Sequence, residues 1–325
     1  MLIFSQNTLT LHKDLLQMTN PLFYAKILLF GEYGIIEDSQ GLTVPYSFYK
    51  GALKFSALDS EFEQKSNHHL GKYAEYLKNL ELPEGFELNV SEFEKEIAKG
   101  LFFDSNIPQG YGVGSSGALV AAIFERYSIT KYIPENISKD QLKNLKKVFG
   151  TMESYFHGKS SGIDPLICYM NLPILIENRE SVDKVSIPKS QEGKGAIFLI
   201  DSGSVGETGP MVQIFFEKMK TEGFRKTLKE EFIRYNNACI DSFLKKDMNP
   251  FFRNLKKLSH WAYEHFRPMI PESIFNIWKK GLDSNAYYLK LCGSGGGGYI
   301  LGFTKDYEKA EKMLDGFHKE VIYRF

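Results

Sequence analysis

Cysteine is scarce here: Cys168, Cys239 and Cys292 are the only three, far apart and odd in number. That excludes a disulfide framework and a spaced thiolate metal site, and points to a reducing compartment. Net charge is also missing, since 40 Lys and Arg balance 40 Asp and Glu. Charge therefore gives no reason to expect a nucleic-acid or membrane partner. No apolar run approaches the roughly 18 residues of a membrane span. The first residues, Met1–Asn7, lack the basic region and apolar core of a secretory signal. The expectation is a cytoplasmic protein, in which the acceptor-like triplet Asn136-Ile-Ser138 would carry no glycan. Tandem repeats and low-complexity tracts are absent. The two tryptophans, Trp261 and Trp278, fall on apolar sides of helical segments and read as core.

Glycine, by contrast, is plentiful and clustered. Pro108-Gln-Gly-Tyr-Gly-Val-Gly-Ser-Ser-Gly-Ala118 packs four glycines and two serines into eleven residues, and the apolar run Ala118–Phe124 follows. A glycine loop feeding a helix N-terminus presents backbone N–H groups at the positive end of the helix dipole, which is an anion site. The competing reading is a mere turn before a core helix. On the first reading, Gly114→Val should weaken anion binding far more than stability.

Before this loop, Phe23–Phe30 reads as a buried strand ended by Gly31. Lys26 is its anomaly: a buried cation needs a partner, unless it sits at a strand edge and snorkels. Leu42–Tyr49 and Ala52–Ala57 read as strands, Lys65–Leu80 and Phe93–Leu101 as helices. After the loop, Ser138 with Gln141 forms a capping box opening a helix whose apolar face is Leu142, Leu145, Val148, Phe149, Met152 and Phe156. Glu153 lies on or beside that face. It is either a boundary residue reaching water or a carboxylate needing a cation, a metal or a raised pKa. His157-Gly-Lys-Ser-Ser-Gly-Ile-Asp164 closes the helix and delivers Asp164 to the apolar stretch Pro165–Ile176, where an Asp before Pro can also be simple turn chemistry.

The length suggests two domains, 1–190 and 191–325, divided near the polar segment Asn178–Lys194. In the second, Gly195–Ile200, Ala286–Leu291, Tyr299–Phe303 and Val321–Phe325 read as strands. Met211–Lys220, Arg225–Lys245, Phe251–Phe266, Glu272–Gly281 and Tyr307–His318 read as helices, an α+β pattern. Gly112-x-Gly114-x-x-Gly117 and Gly293-x-Gly295-x-x-Gly298 both match the dinucleotide fingerprint, but weakly. The first follows Asp104-Ser-Asn-Ile-Pro108 rather than an apolar strand and has no acidic ribose ligand downstream; the second opens no helix. Neither loop ends in the Gly-Lys-Ser/Thr of a Walker loop, and a Gly-x-Ser-x-Gly elbow is absent.

Three ordered motifs resemble those of the GHMP kinase superfamily, and within it the mevalonate kinases. Lys26-Ile-Leu-Leu-Phe-Gly-Glu-Tyr33 resembles Lys-x-x-Leu-x-Gly-Glu-His. Pro108–Ala118 resembles Pro-x-x-x-Gly-Leu-Gly-Ser-Ser-Ala. Lys290-Leu-Cys-Gly-Ser-Gly-Gly-Gly-Gly298 resembles Lys-x-Thr-Gly-x-Gly-Gly-Gly-Gly, and His157–Asp164 resembles the mevalonate-kinase segment holding the aspartate. The departures are Phe23-Tyr-Ala before Lys26, Tyr33 for histidine, Gly117 for alanine and Cys292 for a hydroxyl residue.

The resemblance implies an α+β, two-domain GHMP kinase fold: a first domain like ribosomal protein S5 domain 2 and a ferredoxin-like second. It implies transfer of phosphate from ATP to the primary hydroxyl of mevalonate, a step in isoprenoid precursor synthesis. ATP would contact Pro108, Gly110, Gly112, Val113, Gly114, Ser115, Ser116, Gly117, Gly293, Ser294 and Gly295. Ser116 and Glu153 would hold Mg²⁺. Asp164 would take the hydroxyl proton, and Lys26 would pair with it and offset charge on the phosphoryl group. Glu32, Tyr33 and Thr208 would line the substrate site. The implied partner is a small alcohol, with neither nucleic acid nor membrane; a homodimer is compatible with the sequence, which does not fix the oligomeric state. Other small alcohols (a sugar, homoserine, phosphomevalonate), a diphosphomevalonate decarboxylase and a non-catalytic relative are the alternatives.

Overall fold

The structure, a computed structural model, describes residues 20–325; the reading of Met1–Asn7 lies outside them. In chain order the first half runs β1 (Phe23–Phe30), β2 (Gly41–Phe55), α1 (Glu61–Lys78), α2 (Val90–Ala98), β3 (Leu101–Ser105), α3 (Ser115–Tyr127), α4 (Lys139–His157), α5 (Ile163–Met170), β4 (Ile174–Ile176) and β5 (Val182–Lys184). The second half runs β6 (Ala196–Asp201), α6 (Thr208–Met219), α7 (Glu222–Thr227), α8 (Ile233–Leu244), α9 (Met248–His265), α10 (Glu272–Ser284), β7 (Tyr288–Leu291), β8 (Tyr299–Thr304), α11 (Tyr307–Met313) and β9 (Lys319–Arg324).

The first sheet has the order β1-β2-β4-β5, with β3 also paired to β2, and every pairing is antiparallel. β2 is one long strand where the sequence suggested two. Its Gly51 makes this work: a Cβ there would sit 2.3 Å from the Phe103 ring of β3. The short strand β3 also corrects the reading of Leu101 as a helix end and of Asp104–Pro108 as strandless. It lies antiparallel to β2, so the parallel unit of a dinucleotide fold is still absent. The second sheet, order β7-β8-β6-β9, is likewise antiparallel. Its third strand lies beside the first and its fourth on the other side, the split arrangement of a ferredoxin-like domain.

Local signals placed most helices. Ser138 and Gln141 make the reciprocal capping box on α4, and Leu142, Leu145, Val148, Phe149 and Met152 are fully buried along it. The expected helix Arg225–Lys245 is interrupted by a π-helical turn, Leu228–Phe232. Asp164 lies in the first turn of the helix α5. One continuous core joins both halves. Phe30 of β1 packs on Phe251 of α9 and Phe303 of β8, with ring centroids 6.0 and 5.6 Å apart.

Candidate active site

Among the described residues, four charged side chains are buried: Lys26, Glu32, Glu153 and Lys290. All four belong to the motifs or the α4 segment, and each has a polar partner. Burying unpaired charge is costly, so these partners define the site.

Lys26 lies in β1, whose edge is covered by the glycine loop: its backbone N–H donates to Val113 O at 2.9 Å. The side chain does not snorkel. Its ammonium pairs with the Asp164 carboxylate at 2.9 Å and donates to Gly112 O at 3.2 Å. Burial alone would pull the ammonium pKa down; the charge and hydrogen bond of Asp164 outweigh it and leave Lys26 above its ordinary value. Asp164, on the first turn of α5, keeps 37% of its side chain exposed, so this carboxylate can still reach a ligand. Gly117 of α3 brings α5 this close: a Cβ there would lie 2.7 Å from the Asp164 carbonyl carbon. The departure from alanine is thus a packing requirement.

The loop carbonyls are turned toward the protein. Gly110 O accepts from Gly206 N, Gly112 O from the Lys26 ammonium, Val113 O from Lys26 N and Gly114 O from Ala118 N. Among the described residues, the N–H groups of Gly112, Val113 and Gly114 donate to no protein acceptor. Gly114 itself caps α3 at φ 82° with no side-chain cap, whereas α1 and α4 are closed by Ser60 and Ser138. An uncapped helix N-terminus behind open amides fits a polyphosphate. The missing Cβ atoms, however, mostly face protein. A Cβ on Gly112 would meet Cys292 O at 2.5 Å, and one on Gly114 would meet Lys26 Cγ at 2.8 Å. This alters the expectation for Gly114→Val. The left-handed backbone alone costs about 1–3 kcal/mol, and the side chain displaces Lys26. We expect a lower melting temperature together with lost turnover, measured by thermal denaturation and phosphoryl transfer. Unchanged stability would show that the loop tolerates a Cβ there.

Glu153 projects from α4 between two hydroxyls. Ser116 donates to one carboxylate oxygen at 3.0 Å and Ser160 to the other. Burial, then the charge of Asp164, pushes Glu153 up to about 7, although both hydroxyls and Lys26 act the other way. A carboxylate held this reluctantly, beside a serine hydroxyl, is a hard-oxygen pair that suits Mg²⁺. Among the described residues no group of three or more His, Cys, Asp or Glu converges as a metal site; phosphate oxygens and water would complete such a shell.

Of the three residues expected at the substrate site, Glu32 and Tyr33 are engaged within the protein and Thr208 is exposed. Glu32 pairs with Lys290 of β7 at 2.7 Å, and both side chains are almost fully buried; burial pushes the Glu32 carboxyl up and Lys290 draws it part of the way back. Glu32 therefore ties motif one to motif three and is not available to an acceptor. Tyr33, at φ 58°, stacks on Phe215 at 4.7 Å and lies tilted against Phe266 at 5.1 Å, and its hydroxyl donates to Ser294 O at 2.5 Å. It bridges the two halves where the family pattern has a histidine. Thr208, the first residue of α6, is exposed and meets the Ser294 hydroxyl at 3.4 Å. Motif three seats directly on motif two: Gly293 has φ 74° and Gly298 φ 69°, and a Cβ on Gly293 would lie 3.3 Å from Gly112 Cα and one on Gly298 2.5 Å from Tyr111 Cα. Pro108 and Ser115 flank the loop, half-buried. Sequence reading gave no role to Ser160 or Lys290. A signal for Lys290 existed, since it repeats the anomaly of Lys26, a lysine in an apolar strand.

An aspartate–lysine pair beside an open-amide glycine loop, on two antiparallel α+β domains, describes a small-molecule phosphotransferase. The chain belongs to the GHMP kinase superfamily: the family models described as GHMP kinases N terminal domain and GHMP kinases C terminal match residues 69–171 and 239–322. Membership implies a small-molecule kinase that uses ATP. The mevalonate kinase of Pyrococcus abyssi is 28% identical over 311 residues, covering 88% of this chain and 89% of that protein. The crystal structure of Leishmania major mevalonate kinase in complex with R-mevalonate superposes with TM-score 0.61 at 15% identity, covering 94% of this chain and 96% of that one. Streptococcus pneumoniae phosphomevalonate kinase in complex with phosphomevalonate and AMPPNP gives TM-score 0.60 at 13% identity, covering 94% and 100%. These structures share the fold. Among the described residues no helix is long and apolar enough to cross a membrane.

Proposed function

We propose that the chain phosphorylates the primary hydroxyl of mevalonate, giving 5-phosphomevalonate, in the cytoplasm. The observation that carries the transfer is the buried Lys26 ammonium 2.9 Å from a partly exposed Asp164 carboxylate, at the foot of the glycine loop. Support for mevalonate comes from the Pyrococcus relative. Asp164 accepts the proton of the acceptor hydroxyl. Lys26 holds that carboxylate in place and faces the charge that develops in transfer. The amides of Gly112, Val113 and Gly114 and the N-terminus of α3 bind the polyphosphate. Ser116 and Glu153 would hold Mg²⁺, which when bound would supply neutralisation of charge on the phosphates of ATP, the phosphoryl donor.

Tyr33 favours a second reading, a kinase of the same superfamily for another small alcohol, because its ring is engaged by Phe215 and Phe266. Mg²⁺-dependent ADP release with mevalonate, 5-phosphomevalonate, galactose and homoserine separates the two. Turnover on mevalonate, at a kcat/KM at least tenfold above the others, is the expected result. Turnover confined to another alcohol would replace the acceptor, and no turnover on any would overturn the kinase assignment.

A further inference from the structure

A groove of about 440 Å³ runs along the solvent face of α4. Lys143, Lys146 and Lys147 of α4, Arg179 from the turn between β4 and β5, and Ser160 and Ser161 from the loop between α4 and α5 line it. Glu180, the one carboxylate lining it among the described residues, pairs with Lys143 at 3.7 Å. Arg179 reaches Asp38 and Glu37 only at 3.7 and 3.8 Å and stays half-exposed. Four cations thus face one lining carboxylate, on a chain whose net charge is zero.

The cations are placed at a cost. Lys143 and Lys147 stand one helical turn apart, where like charges repel. Lys146 is half-buried, and its ammonium donates to Arg179 O. Burial pulls it below its ordinary value and Lys143 adds to the lowering, while Glu180 opposes. The volume falls within the roughly 300–1,000 Å³ of small-molecule sites, yet a lining of cations and hydroxyls does not suit an apolar ligand. Several ammonium groups and a guanidinium around one cleft suit an anion carrying more than one charge.

We propose that this groove binds a small phosphorylated anion, a mono- or diphosphate, at a site separate from the glycine loop. It abuts the candidate metal site through one side chain: Ser160 lines the groove and donates to Glu153. The loop carrying Ser160 lies tightly on α4, for a Cβ on Gly162 would lie 2.0 Å from Lys146 O and one on Gly150 3.0 Å from Ser160 O. The site stands on its own geometry and survives if the acceptor is not mevalonate.

The test is calorimetric titration of the full chain with pyrophosphate, the glycine loop first saturated with Mg²⁺ and a non-hydrolysable ATP analogue. One further binding event is expected, weakened by added salt as the charges are screened. The double variant Lys143→Gln/Lys147→Gln changes exposed helix positions for another good helix former. It should lose pyrophosphate affinity at least tenfold and keep its melting temperature and its affinity for the analogue. Absence of a further event in the unmodified chain, or equal affinity in the double variant, would overturn the site. Failure of the analogue itself to bind would instead count against the functional reading. Pyrophosphate binding that still depends on Lys143 and Lys147 would then uphold the groove.

Discussion

Asp164→Asn should abolish most turnover, by about 10²–10⁴-fold if the carboxylate acts as general base, while the chain still folds and binds an ATP analogue. Asn has nearly the same shape, and the 37% exposure of the Asp164 side chain lets water replace part of what is lost. The destabilisation should therefore fall below the roughly 3–5 kcal/mol of breaking a fully buried pair. The more telling change is at Lys26. Burial is the largest influence on it and acts downward; Asp164 is what raises it. In the variant its pKa should drop below the ordinary 10.5, which the pH dependence of Lys26 acylation would report. A lysine raised on folding stabilises fully below its ordinary pKa, and that contribution fades as pH rises through the folded value. The unmodified chain should lose this increment only in alkali; the variant should lack it at neutral pH as well. Turnover within threefold of the parent would sink Asp164 as the base.

Glu153→Gln should preserve the fold and cut Mg²⁺-dependent turnover by at least tenfold, raising the Mg²⁺ concentration needed for half-maximal rate. Gln keeps the reach to Ser116 and Ser160 but offers the cation no charge. A pH signature separates this from a packing defect. Burial and the Asp164 charge raise Glu153 from 4.5 to about 7. Between those values the folded chain holds a proton that the unfolded chain has released, so metal-free stability falls as pH rises across that window. The variant has no such proton and should lose that slope, becoming the more stable chain above pH 7. In the parent, Mg²⁺ must displace the proton, so its apparent affinity should climb toward tenfold per pH unit below about 7 and level off above. Thermal melts from pH 5 to 8 without metal, and Mg²⁺ titrations of the rate, check both. An unchanged Mg²⁺ dependence would remove Glu153 from the metal site.

Much of this site was legible one residue at a time. Lys26 stood out because a lysine among Ala25, Ile27 and Leu28 needs either a partner or a route to water. Glu153 stood out because helical periodicity set it beside Phe149 and Phe156. The capping box fixed where α4 begins, so the position of Glu153 on the helix followed. What escaped were features set by long-range contact: the short strand β3, the unbroken β2, and the partners of Glu32 and Tyr33. A five-residue strand shows no periodicity of its own until β2 supplies its hydrogen bonds.

The sequence by itself determined the anomalies, namely which charges lie in apolar surroundings, where glycine frees the backbone and which serines cap helices. These are local properties, because propensity, periodicity and capping act over a few residues. The tertiary structure decided the pairing. Lys26 meets Asp164 because Gly117 lets α5 lie against α3, and Glu32 meets Lys290 because β1 and β7 belong to sheets that share one core. Burial makes a charge demand a partner. Which partner it receives depends on how segments more than a hundred residues apart pack together, and no local signal carries that.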